Sequence, residues 1–119
     1  MLIIEDNIDA ADTLCTAIEI GDHIVDVAYS GTQGIEKART FKPDVVLCDL
    51  GLPGITGFDV ARALRADPGL SRISLIALSG YAQPQDVAQA KEAGFDVHLA
   101  KPFNVEALLK LIESSSSIS

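Results

Sequence analysis

Residues 43–57 read PDVVLCDLGLPGITG, an apolar run that ends in a carboxylate and continues into a turn rich in glycine and proline. The unbroken run Val45–Cys48 contains β-branched residues and predicts a strand covered on both faces at the centre of a parallel sheet. Asp49 follows at the carboxyl end of that strand, which is the edge where open α/β sheets bind ligands. An isolated aspartate there most often only begins a turn, so its function depends on which other residues converge on it.

Length and composition indicate one globular domain. The chain has 119 residues, 48% of them hydrophobic, and no apolar run approaches the roughly 18 residues of a membrane-spanning helix. No secretory leader precedes the first apolar run, and Cys15 and Cys48 fall in an apolar helix face and a core strand. These features predict a cytoplasmic protein with free thiols and no membrane contact. The net charge of −8 disfavours nucleic-acid binding, because affinity for phosphate backbones depends on lysine and arginine.

The chain alternates strands and helices five times. Outward from the central strand, short apolar runs predict further strands at residues 1–4, 24–28, 73–78 and 97–100. Apolar residues at helical spacing predict the helices between them and a last helix that Asn104 would cap. Five βα units with right-handed crossovers predict an α/β fold, a doubly wound five-stranded parallel sheet with helices on both faces. We therefore expect one domain over residues 1–113 and a serine-rich tail or linker over residues 114–119.

Polar side chains that follow four of these strands share one edge of the predicted sheet, because parallel strands all point the same way. These residues are Glu5, Asp6, Asp49, Ser79 and Lys101. Carboxylates held close together repel and favour a shared cation, and oxygen ligands suit Mg²⁺, with Mn²⁺ as an alternative. The hydroxyl of Ser79 and the ammonium of Lys101 can each bind a phosphate oxygen. This set of groups is suited to phosphoryl transfer onto Asp49.

Five motifs in order resemble the receiver domain of two-component response regulators. They are Glu5-Asp6, residues 43–49 with Leu52-Pro53-Gly54 behind them, Ser79-Gly80, Ala93-Gly94 and Lys101-Pro102-Phe103. The resemblance runs from Leu2 to about Ile112 and implies the flavodoxin-like strand order 2-1-3-4-5. It implies that Asp49 accepts a phosphoryl group from a histidine of a sensor kinase or phosphotransfer protein. The chain would then catalyse its own phosphorylation and dephosphorylation without being a classical enzyme.

The resemblance also implies a metal site. Mg²⁺ would bind Asp6, Asp49 and the backbone carbonyl of Gly51, while Glu5 would help through a water molecule. Glu5 stands where the family more commonly has Asp, and its additional methylene leaves Asp6 as the direct ligand.

By the same resemblance, Ser79 and Lys101 would hold the phosphoryl oxygens, and the bond between Lys101 and Pro102 would be cis. Ser79 and His98 would act as the switch, because His98 stands where the family often has Tyr or Phe. The alternative for His98 is a half-exposed histidine on an edge strand. The signal would pass to an output domain or a partner protein on the face formed by the fourth helix, the fifth strand and the fifth helix.

Other classes of protein fit the residues less well. A flavin carrier should have a phosphate loop rich in hydroxyls and glycines, whereas residues 5–9 carry three acidic side chains. A nucleotide-binding enzyme should show GxGxxG or a P-loop, and neither occurs. An aspartyl-phosphate hydrolase should have a second Asp where this chain has Gly51. The alternative that stays open is a degenerate receiver that acts only as a protein-interaction module.

Arg62 and Arg65 are interpreted as a solvated face of the third helix.

Overall fold

The computed structural model describes residues 1–19, 24–70, 72–79 and 84–100, with the isolated positions 106 and 110. Strands and helices alternate along these residues. The strands are β1 (Leu2–Ile4), β2 (Asp26–Ala28), β3 (Val45–Asp49), β4 (Ser74–Ser79) and β5 (Val97–Ala100). The helices are α1 (Ile8–Glu19), α2 (Gly31–Phe41), α3 (Gly57–Ala66) and α4 (Pro84–Ala93). The predicted last helix and the predicted cis bond before Pro102 lie outside the described residues.

The five strands are parallel and form one sheet in the order β2-β1-β3-β4-β5, which confirms the predicted doubly wound arrangement. The central strand β3 pairs along its whole length with β4, from Val45↔Ser74 to Asp49↔Leu78. Each side chain of Val45–Cys48 is at most 2% exposed, since helices cover both faces of the strand. The longest apolar run near the middle of the sequence therefore occupies a fully buried position in the sheet.

The two faces of the sheet carry separate apolar cores, because successive side chains of a strand point to opposite faces. The core on the face covered by α1 contains Ile3, Leu14, Ile18, Val45, Leu47, Ile76 and Leu78. The core on the face covered by α2, α3 and α4 includes Leu2, Ile4, Val46, Cys48, Leu64, Leu75 and Ala77. Of the helices in the described ranges, none is long and apolar enough to cross a bilayer.

The edge strand β2 is shorter than predicted. Ile24 is 79% exposed, and pairing with β1 begins only at Asp26. The backbone groups of Asp26 and Ala28 face β1, so the N–H and carbonyl of Val27 face outward. The Val27 N–H donates to Asp26 Oδ1 at 2.8 Å, and Lys37 Nζ donates to the Val27 carbonyl at 2.6 Å. Lys37 Nζ also lies 3.1 Å from Asp26 Oδ1, so three groups close one small network.

Arg65, in the last turn of α3, binds the end of the sheet opposite Asp49. Its Nε donates to the Gly94 carbonyl at 2.8 Å, and its Nη1 donates to the Ile73 carbonyl at 2.7 Å. Its Nη2 donates to Asp96 Oδ2 at 2.8 Å. The interpretation of a solvated helix face was therefore wrong for Arg65, whose side chain is 23% exposed. These contacts fix α3 to the segments that lead into β4 and β5.

We predict that Arg65→Ala lowers the free energy of unfolding by about 2 kcal/mol, because two carbonyls and one carboxylate lose a charged donor. Urea unfolding monitored by circular dichroism measures this loss. Arg62→Ala is the matched control on the same helix, since the Arg62 side chain is 60% exposed and forms a surface ion pair with nearby Asp59. The control should change the free energy by less than about 0.5 kcal/mol. Equal losses in the two variants would contradict the role assigned to Arg65.

Candidate functional site

Three carboxylates converge at the carboxyl edge of the sheet. One ligand oxygen each from Glu5, Asp6 and Asp49 lies within 4.8 Å of the others. The pairing of Ile4 with Cys48 places the residues that follow β1 beside the end of β3. Glu5 is 2% exposed, Asp49 is half-buried and Asp6 is exposed, so the cluster runs from the interior to the surface. The structure thus brings together the three acidic residues that the sequence placed at one edge.

The donor set of this cluster fits a hard divalent cation. All three side chains offer oxygen atoms, which Mg²⁺ and similar ions prefer, and the site opens to water on the Asp6 side. Like charges at such distances repel, and a divalent cation between them would offset that repulsion. Residues Glu5, Asp6 and Asp49 could therefore hold such an ion.

The carboxylate of Asp49 is oriented by the turn that follows it. The Gly51 N–H donates to Asp49 Oδ1 at 2.9 Å, as in an Asx turn. The Leu50 N–H donates to the Leu78 carbonyl at 2.9 Å, which extends the pairing of β3 with β4 beyond Asp49. Gly54 adopts a φ of 76°, a left-handed conformation that glycine reaches without steric cost, and this turns the chain back toward the sheet. The direction of the Asp49 side chain is thus set by local backbone contacts.

The turn leads into α3 through a capping box. The N-cap residue Thr56 accepts a hydrogen bond from the Asp59 N–H, and Asp59 Oδ2 accepts one from the Thr56 N–H at 3.2 Å. The first helical residue, Gly57, lies against the backbone of Asp49 and Leu50. This contact of Gly57 was not predicted. The sequence showed a glycine on the buried face at the start of a helix, but that position does not identify the segment against which it packs.

Ser79 is the last residue of β4 and is buried. Since Asp49 pairs with Leu78, Ser79 lies one residue further along the neighbouring strand, at the same edge as Asp49. Lys101 and Gly80 lie outside the described residues. The contact of Lys101 with a phosphoryl group therefore stays a prediction.

His98 lies in the middle of β5, where it pairs with Ala77 of β4. Its neighbours Val97 and Leu99 pack into the core under α1, so His98 is on the opposite face, together with Ala77. Ser79 is two residues beyond Ala77 and shares this face. The His98 ring is partly buried, and its Nε2 is fully buried without a hydrogen-bond partner in the described part of the chain. The structure thus places a partly buried histidine on the edge strand β5, in agreement with the alternative of a half-exposed histidine, and the switch role of His98 stays a prediction.

Neither thiol of the chain is a candidate nucleophile. Burial raises the pKa of the Cys48 thiol, and the nearby Asp49 and Glu5 carboxylates raise it further. Burial and a hydrogen bond to Glu19 raise the pKa of Cys15 to about 11. Both cysteines are free, as predicted, and both stay protonated at neutral pH. The candidate nucleophiles at this edge are therefore the carboxylates.

Residues 1–113 match the sequence model of the response regulator receiver domain. Among curated proteins, "Protein PilH" of Pseudomonas aeruginosa is 36% identical over 114 residues, which cover 96% of this chain and 94% of PilH. The "DNA-binding dual master transcriptional regulator RpaA" of Synechocystis sp. is 33% identical over 114 residues. That match covers 96% of this chain and 47% of RpaA, so the chain spans about half the length of that relative.

Solved structures match the fold. The chemotaxis response regulator CheY4 of Vibrio cholerae superimposes with a TM-score of 0.89 at 26% identity, covering 96% of this chain and 95% of CheY4. A signal receiver domain of a DNA-binding response regulator from Colwellia psychrerythraea gives a TM-score of 0.90 at 30% identity. That match covers 98% of this chain and 96% of the solved chain.

Repulsion among the carboxylates of Glu5, Asp6 and Asp49 should lower the free energy of unfolding. Asp6→Asn removes one of three repelling charges, so the free energy of unfolding without divalent cations should rise by about 0.5–1 kcal/mol. Saturating Mg²⁺ should cancel this gain, because the wild type would be stabilised by the cation it binds. Urea unfolding in EDTA and in Mg²⁺ measures both effects. Asp9→Asn is the control, since Asp9 lies in the first turn of α1, where a negative charge is favourable. A gain of the same size in Asp9→Asn would contradict the prediction.

Proposed function

Because this chain belongs to the response regulator receiver domain family, we propose that it accepts a phosphoryl group on Asp49 in a Mg²⁺-dependent reaction. The donor would be a histidine of a sensor kinase or of a phosphotransfer protein. The cluster of Glu5, Asp6 and Asp49, with ligand oxygens within 4.8 Å of one another, is the observation that carries this proposal. In this cluster, the proposed nucleophile Asp49 lies next to the carboxylate oxygens that would bind the cation, so the cation would be close to the transferred phosphoryl group.

The proposed metal ligands are Asp6, Asp49 and the backbone carbonyl of Gly51, with Glu5 acting through water. When bound, Mg²⁺ or Mn²⁺ would neutralise charge on the phosphoryl group. The burial of Glu5 and the exposure of Asp6 support this division of roles, because an exposed carboxylate is the one that can replace water on an entering ion.

In the proposed reaction, an oxygen of the Asp49 carboxylate attacks the phosphorus atom of phosphohistidine. The P–N bond breaks, its electron pair passes to the imidazole, and an acyl phosphate forms on Asp49. The Gly51 N–H fixes the carboxylate for this attack through its bond to Oδ1. Ser79 would donate a hydrogen bond to one phosphoryl oxygen, and the ammonium of Lys101 would bind another. Attack by water on the acyl phosphate would later return the free carboxylate.

The proposed signal passes from Ser79 to His98. A phosphoryl group on Asp49 offers new acceptor oxygens, toward which the Ser79 hydroxyl would move. Ser79 and His98 share one face of the sheet, where they are diagonal neighbours on adjacent strands, because His98 pairs with Ala77 and Ser79 pairs with Ala100. The His98 ring would turn further inward as Ser79 moves, and this would alter the face that α4 and β5 form with the last helix. Such a change is a population shift that the phosphoryl group favours by its contacts.

We assign the receiver domain to residues 1–113 and a tail or linker to residues 114–119. The partner on the face of α4, β5 and the last helix would be an output domain or a separate protein. RpaA is described as DNA-binding, but the net charge of −8 makes this domain an unfavourable ligand for nucleic acid. We propose a cytoplasmic location, with no nucleic-acid or membrane contact by this domain.

Asp49→Asn should abolish covalent labelling by acetyl phosphate, because the amide keeps the shape but removes the nucleophilic charge. Intact-mass spectrometry in Mg²⁺ and in EDTA measures the labelling, and EDTA should abolish it in the wild type. Asp44→Asn is the control, since Asp44 is exposed at the other end of β3. Labelling that persists in Asp49→Asn would show a different acceptor. A wild type that is never labelled would favour the protein-interaction module instead.

Ser79→Ala should still be labelled, but several-fold more slowly, because one hydrogen bond to the phosphoryl group is lost. The His98 ring signals should no longer respond to phosphorylation in this variant. Nuclear magnetic resonance spectra of His98 before and after labelling test this. Ser74→Ala, at the start of the same strand, should label and respond like the wild type. An unchanged His98 response in Ser79→Ala would show that the signal takes another route.

A further inference from the structure

The start of α3 is packed against the backbone of the proposed acceptor. A Cβ atom added to Gly57 would overlap the Asp49 carbonyl oxygen and would lie 2.7 Å from the Leu50 Cα atom. Both are backbone atoms, so no side-chain rotation could relieve the contact. The Gly57 N–H donates to the Leu50 carbonyl at 3.2 Å, which holds the first turn of α3 on this segment. Only glycine lets the helix begin so close to Asp49.

We propose that Gly57 is a positioning residue for Asp49: by lacking a side chain, it allows α3 to fix the place and direction of the carboxylate. This inference rests on the proposed function of Asp49 as phosphoacceptor. It adds that the acceptor geometry depends on a helix that contributes no side chain to the acidic cluster.

Both ends of α3 are held in place. The capping box of Thr56 and Asp59 fixes the start of α3, and Arg65 fixes its end. Val60, Ala61 and Leu64 are buried along its length. Because α3 cannot simply move away, a side chain at position 57 would press on the backbone of Asp49 and Leu50 and displace it, although pairing with β4 also holds this end of β3.

Such a displacement would reach the carboxylate directly. Oδ1 of Asp49 is held at 2.9 Å from the Gly51 nitrogen, and both residues lie in the segment that would move. Glu5 and Asp6 lie on a different segment, directly after β1, so such a displacement would change the distances between the three carboxylates. A shift of about 1 Å at a reacting group can reduce a rate by about a hundredfold.

Gly31 provides a matched control. Like Gly57, it is a buried first residue of a helix and follows a hydrogen-bonding N-cap residue, here Ser30. An added Cβ would lie 2.5 Å from Ile55 Cγ1, so the position is crowded too. The crowding atoms belong to the side chains of Ile55 and of Val60 in α3, which can adjust, whereas those at Gly57 belong to the backbone of the acceptor segment. Gly31→Ala should therefore cost stability without moving Asp49.

The experiment compares the wild type, Gly57→Ala and Gly31→Ala in Mg²⁺ with acetyl phosphate. We expect both variants to be less stable, and Gly57→Ala alone to lose about 10- to 100-fold in the maximal labelling rate. The half-saturating concentration of acetyl phosphate should stay unchanged, because binding does not need a precisely placed carboxylate. The amide signal of Gly51 should shift in Gly57→Ala and stay in place in Gly31→Ala.

Labelling of Gly57→Ala at the wild-type rate would overturn the inference, and so would an equal loss in Gly31→Ala. If Gly57→Ala fails to fold in the cold with a stabilising osmolyte while Gly31→Ala folds, the inference is also overturned, since Gly57 would then be a requirement of the fold. A wild type that takes no label would instead refute the proposed function. The Gly51 amide signal would still report whether Gly57 positions the acceptor segment.

Discussion

The structure depends on one constraint on β3: the residues along its buried length must be apolar, so that a charged residue can occur only at its end. Helices cover both faces of Val45–Cys48, so any polar side chain there would lose its water. Asp49 is the first position at which the strand reaches solvent, and it is half-buried. Because the sheet is parallel, the ends of β1 and β4 reach the same edge as Asp49. The buried strand thereby determines where a charged site can form.

Sequence reasoning succeeded where side-chain pattern and strand direction were sufficient. The apolar runs predicted the strands, and the shared direction of parallel strands predicted that Glu5, Asp6 and Asp49 lie together. It was wrong for Arg65 because a basic residue on a helix looks the same whether it meets solvent or a neighbouring loop. The packing of Gly57 against the backbone of Asp49 was not predicted, because it depends on the distance between two segments of the folded chain. The helical spacing of residues around Gly57 carries no information about that distance.

The acidic cluster and its surroundings differ in how they are held. Strand pairing places Glu5 and Asp49, and Asp49 is further fixed by the Gly51 amide and by the first turn of α3, which packs against its backbone. His98, in contrast, has a buried Nε2 that no described residue satisfies, and such an atom favours rearrangement once a partner becomes accessible. Under the proposed function, a firmly held Asp49 and a His98 ring with an unsatisfied nitrogen would suit the conversion of a local charge change into a change of surface.

The network at β2 has a consequence for how this molecule meets copies of itself. An edge strand exposes unpaired backbone groups that can recruit a strand from another chain and so start aggregation. Here the outward N–H and carbonyl of Val27 are already bonded to Asp26 and Lys37. An incoming strand would have to displace the ammonium and desolvate its charge before it gained a hydrogen bond. We therefore expect the addition of a strand at β2 to be unfavourable, so that this edge resists aggregation in concentrated solutions of the protein.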